Sequence, residues 1–112
     1  MEFGTATIDN HGRIADRALV RALGWAPGTR LHMRESGGLL LVAADRQGVF
    51  SVSGQGHVVL PAAVRHWCRL QVGDRVFVVA DLGTKVLVVH PLEAVDAMVA
   101  HLHATRISED DR

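Results

Sequence analysis

The sequence predicts a mainly β protein with short helices: a two-fold pseudo-symmetric barrel built from two tandem modules, followed by a C-terminal helix. Three observations predict it. First, an internal repeat places Gly12–Arg21 (GRIADRALVR) over Gly56–Arg65 (GHVVLPAAVR), 44 residues later. Second, each copy continues into two short apolar runs around a turn of hairpin composition. Third, apolar residues recur at helical spacing after Pro91.

The opening strands are expected at Thr5–Ile8 and Val49–Val52, the turns at Asp9–Gly12 and Ser53–Gly56, and second strands at Arg13–Ala15 and His57–Leu60. Short helices follow near Arg17–Leu23 and Pro61–Cys68. Proline suits a first helical turn, where its missing N–H would be unpaired anyway, and Asp16 is placed to cap the first helix. With one extra residue in the second copy, Trp25–Leu31 (WAPGTRL) lies over Leu70–Val76 (LQVGDRV). The hairpins are then Arg30–Glu35 with Leu39–Ala43, around Ser36–Gly38, and Arg75–Ala80 with Val86–His90, around Asp81–Thr84. A module of this size buries too little surface to stand alone, and the join at Ala44–Gly48 is too short for a free linker. The expected division is therefore 1–46 and 47–90 as two modules of one barrel, with 91–112 as helix and polar tail. In that last segment Leu92, Val95, Met98, Val99 and Leu102 share a face, and the residues after Thr105 are expected to fray.

Composition narrows the function. The 112 residues are 48% hydrophobic and 21% charged, ordinary for a globular chain, and no apolar run approaches the roughly 20 residues of a membrane span. The start, Met-Glu-Phe-Gly-Thr, has no basic stretch leading into an apolar one, so a cytoplasmic location and no membrane contact are expected. The net charge of zero hides an asymmetry. Residues 1–90 hold ten Lys/Arg against seven Asp/Glu, whereas residues 91–112 hold two against five. Eleven of the twelve basic residues are arginine, the side chain suited to bidentate contacts with phosphate and guanine, although coding bias produces the same excess.

Gly56–Arg65 followed by Leu70–Val78 (LQVGDRVFV) resembles the AbrB/MazE/SpoVT swapped-hairpin family, and the first copy resembles it more loosely. The resemblance covers about residues 5–90. It implies an interleaved barrel, here from two modules in one chain, and double-stranded DNA binding by a transcriptional regulator or by the antitoxin of a toxin–antitoxin pair. The family's loop–strand arginine falls on Arg13 and becomes His57 in the second copy; its helix arginine falls on Arg21 and Arg65. The following basic position becomes Ala22 and His66, and the basic opening-strand positions become the uncharged Ala6-Thr7 and Phe50-Ser51. The family's proline is Pro61 in copy two and Arg17 in copy one, so copy one is the more basic half.

The candidate DNA-binding residues are therefore Arg13, Arg17, Arg21, His57, Arg65 and Arg69. The first three, at i, i+4 and i+8, form one cluster fit for phosphates and groove edges, or else a solvated face with Asp16 as counter-ion. Arg65 and Arg69 extend that face with His57 and His66, or else Arg65 closes its helix or pairs with Asp74. Histidine charge would strengthen binding below about pH 6.5. The seven histidines show no metal-ligand spacing, and no nucleophile, Walker or dinucleotide motif is present, so neither a metal, a cofactor nor catalysis is expected. Cys68 is expected in the core, and Trp25 and Trp67 are expected to fill the barrel. Partners are expected to be duplex DNA and a second copy, joined through Leu92, Val95, Met98, Val99 and Leu102, or else the helix packs on its own barrel and the protein is monomeric; under the antitoxin alternative a toxin is a further partner. A protein-interaction module without DNA binding is the competing class, favoured by the zero net charge and acidic tail.

Overall fold

A computed structural model describes residues 1–110. The chain runs β1 (Glu2–Thr7), α1 (Ala18–Ala22), β2 (Arg30–Ser36), β3 (Leu39–Ala44), β4 (Phe50–Ser51), α2 (Ala62–Trp67), β5 (Arg75–Asp81), β6 (Val86–Pro91) and α3 (Leu92–Asp110). The six strands make one antiparallel sheet in the order β1-β5-β6-β3-β2-β4. It is an open sheet with β1 and β4 at its edges, not the closed ladder of the expected barrel.

The pairing exchanges partners between the two halves of the chain. The opening strand β1 pairs with β5, which belongs to the second hairpin, with Thr5 opposite Phe77. The opening strand β4 pairs with β2 of the first hairpin, with Leu31 opposite Phe50. The hairpins meet through β3 and β6, with Val42 opposite Leu87. The same bonds recur 44 or 45 residues apart. Ile8 donates to the Asp74 carbonyl at 2.9 Å and accepts from Gly73 at 2.7 Å; Val52 donates to Thr29 and accepts from Gly28, both at 2.9 Å.

Local chemistry explains the turns. Gly37 and Gly38, at φ of 58° and 85°, form the two-residue loop between β2 and β3, a turn that needs positive φ at both positions. Asp81 accepts the N–H groups of Gly83 and Thr84 in the longer turn before β6. Asp16 accepts those of Ala18 and Leu19 at 2.9 and 3.4 Å, so it caps α1 from just outside the helix.

Two expectations are corrected. The second strands shrink to single bridges, Ile8 with Ile14 and Arg13 with Val59, where the halves cross. Each segment bends at once into its helix, so no ladder develops. The tail does not fray after Thr105: α3 continues to Asp110. Four alanines and no glycine or proline lie within it, and the Thr105 hydroxyl donates back to the His101 carbonyl at 3.0 Å. The remaining acidic residue of the tail, Asp111, lies outside the described residues.

The core lies on one face of the sheet, beneath α1, α2 and the crossing. Ile8, Ile14, Leu31, Leu40, Val58, Leu60, Val76 and Leu87 are almost wholly buried there. Trp25 and Cys68 join them, but Trp67 is 50% exposed and does not fill the interior as expected. Among the described residues no helix is long and apolar enough to cross a membrane.

Candidate nucleic-acid interface

The crossing of the two halves builds the site. Residues 9–12 and 53–56 form equivalent loops, each closed by a bond 44 residues from its counterpart: Gly12 donates to the Asp9 carbonyl and Gly56 to that of Ser53, both at 2.9 Å. Side chains brace each loop in the same way. Asp9 Oδ1 accepts from the Arg13 N–H at 2.9 Å, and Ser53 Oγ accepts from the His57 N–H at 3.0 Å. These loops bring Arg13 and His57 to the crossing from opposite halves.

Copy one's arginines gather around copy two's loop. Arg13 Nη1 donates to Gln55 Oε1 at 2.9 Å, and Arg17 Nη1 reaches the Gln55 carbonyl at 3.4 Å. Arg21 borders a groove of about 380 Å³ together with Trp25, Pro27, Gln55 and Gly56. Arg17 and Arg21 are exposed, whereas Arg13 is half-buried. His57 sits in the same field. Burial pushes its pKa below the ordinary 6.5, the Arg13 and Arg17 charges push the same way, and Asp9 opposes them more weakly. Its positive charge therefore appears only at a lower pH than the unperturbed value expected from sequence.

One carboxylate sits inside the cluster. Asp9 Oδ2 pairs with Arg13 Nε at 2.6 Å. Desolvation favours the neutral acid, but hydrogen bonds from the Arg13 backbone and side chain and from His11, with the Arg13 charge, outweigh it and hold the carboxyl at about 2. Asp9 thus orients Arg13 and cancels its charge, leaving Arg17 and Arg21 as the exposed cations of the cluster.

The other two arginines go elsewhere. Arg65 is half-buried and donates Nη1 at 2.5 Å to the carbonyl of Leu60, two residues before its own helix begins. Its guanidinium also fills the space where a side chain at Gly12 would stand. It pins the crossing and does not pair with Asp74, which accepts instead from Gln71. Arg69, at φ 56° just beyond α2, lines a groove with Glu35, Trp67 and Glu93 that shares no residue with the Arg21 groove. Four of the six sequence-derived candidates thus converge, Arg65 supports them from within, and Arg69 is separate. Among the described residues the ion pair of the cluster is Arg13 with Asp9, while Asp16 Oδ1 accepts from the α1 backbone.

Sequence reasoning missed Gln55 and Asp9. Asp9 was legible as an Asx-turn residue four positions before Arg13. Gln55 was not, because its role depends on which half it faces. Compared with family models, characterised proteins and solved structures, the chain finds no match in any of the three.

Proposed function

We propose that the chain is a sequence-specific, double-stranded DNA-binding transcriptional regulator of the swapped-hairpin class, with its two tandem modules interleaved in one unit. The observation that carries this reading is the convergence of Arg13, Arg17 and Arg21 from one copy on Gln55 and His57 of the other. Such a cluster offers guanidinium groups to phosphates and a planar amide that can read base edges. The exchanged opening strands support the class, since each copy's hairpin is completed by the other's strand. The unit acts as a homodimer through α3, which places two of these clusters about a two-fold axis and matches a symmetric operator.

Mobility shift and fluorescence anisotropy with random and genomic duplexes test this. With about 4–6 phosphates contacted per binding unit, log affinity falls with log salt at a slope of about −4 to −5. No binding at low salt, or binding independent of salt, refutes it and leaves the protein-interaction reading.

A further inference from the structure

The sheet is apolar on both faces, and only one of them is the core. On the opposite face the register aligns Val79 of β5 with Val88 of β6 and Val88 with Leu41 of β3. Phe77, Val86 and Leu39 lie on the same side, two residues along their strands from these. Val79 is only 8% exposed yet stands apart from the core cluster, and the other five are half-buried. Phe3 of the edge strand, 61% exposed, stacks on Phe77 with ring centroids 5.9 Å apart.

Beyond its first turn, where Ala94 and Val95 are half-buried against β5 and β6, helix α3 is the second unpartnered apolar surface. Leu92, Met98, Val99 and Leu102 are 48%, 49%, 43% and 53% exposed. Leu92 follows Pro91 of β6 with no loop between them. Folding the helix back over its own sheet needs a reversal of about 2–6 residues, so α3 leaves the sheet as an arm. The long axis of 54 Å against 29 and 21 Å reflects this.

We propose that the second face of the sheet is the docking surface for α3 of a second copy, in a reciprocal two-fold exchange. This rests on the dimer reading above and names what the helix packs against. The dimensions fit. The helix is about 28 Å long, while six strands span about 24 Å and all but the two-residue β4 run about 20 Å. Two such strips, each about 10 Å wide over the roughly 24 Å of sheet and counted on helix and sheet, bury about 960 Å² in total, close to the roughly 1,000 Å² that a specific interface needs. Charge agrees: exposed Glu93 and Asp96 flank the helix, and exposed Arg34 and Arg75 flank the sheet face. Because both complementary surfaces belong to one chain, two copies satisfy each other and the assembly closes.

The test measures solution mass by light scattering on the full chain at high micromolar concentration. The expected mass is twice the 12.1 kDa chain, and Val88→Glu and Val99→Glu each halve it with the circular dichroism spectrum unchanged. To guard against misfolding by Val88→Glu, a Val88→Cys chain is mixed with chains carrying cysteine at 95, 98, 99 or 102, all in a Cys68→Ser background. At least one mixed pair cross-links under oxidation, and equal helix positions do not cross-link to each other. A monomeric wild type overturns this inference and the dimer reading together. Cross-links confined to helix–helix pairs, or a dimer that survives Val88→Glu but not Val99→Glu, overturn the sheet surface and leave the dimer standing.

Discussion

Asp9 and Arg13 set the electrostatics of the cluster between them. Replacing the carboxylate by an amide in Asp9→Asn retains an acceptor for the loop N–H groups but removes a negative charge beside three arginines. Duplex affinity is expected to rise several-fold at low salt, since the Arg13 charge becomes available to phosphate; anisotropy titration showing weaker or equal binding would count against the interface. Arg17→Ala and Arg21→Ala act oppositely, each weakening binding to all sequences and reducing the salt slope by about 1. Arg65→Ala should instead lower stability, because its guanidinium is spent on the Leu60 carbonyl.

The histidines give a pH dependence of stability. His57 and His90 both have folded pKa values below the ordinary 6.5, chiefly through burial. The unfolded chain then binds more protons between the folded and unfolded values. Their contribution is present above about pH 6.5 and is lost as pH falls through the folded values. Thermal midpoints should therefore drop from pH 7.5 to 5.5, and the drop should shrink in His57→Gln. Asp9 adds nothing to this window: its contribution, also from a lowered value, is lost only as pH falls toward about 2.

At the scale of elements, α1 is too short to hold itself, and its register depends on Asp16. Asp16→Ala should cost about 1 kcal/mol in chemical denaturation, the usual cost of a lost N-terminal cap. Gly12 shows how a turn serves the crossing. Its φ of 77° suits glycine, and a side chain there would meet the Leu60 carbonyl and the Arg65 guanidinium. Gly12→Ala is therefore expected to destabilise by more than the roughly 1 kcal/mol of a positive φ alone. A neutral effect would mean that the crossing is looser than its hydrogen bonds indicate. Hairpins, helices and the helical start after Pro91 were legible as elements because turn residues and apolar periodicity are local properties. The shrinkage of the second strands was not, since a ladder needs a neighbour that stays alongside.

For the whole molecule, the repeat at offset 44 carried most of the legible information. It placed equivalent loops, helices and hairpins in each half, and the backbone bonds at Ile8 and Val52 follow it. Of the candidate site, the arginines in copy one were legible because residue type and spacing identify a cation cluster. The separate placement of Arg69 and the exposure of Trp67 were not, because helix spacing alone does not say which side of a short helix meets the interior.

The sequence by itself determined the mainly β composition, the repeat, the turn positions and the segregation of basic body from acidic tail. Each of these depends on residues close in the chain, through φ preferences, side-chain periodicity and charge counting. Only the tertiary structure decided that opening strands exchange between halves, that the sheet stays open, and that Gln55 and His57 meet arginines some 40 residues away. It also left one sheet face and most of α3 uncovered. These outcomes depend on which surfaces bury one another, and burial is a property of the assembled chain that no local pattern encodes.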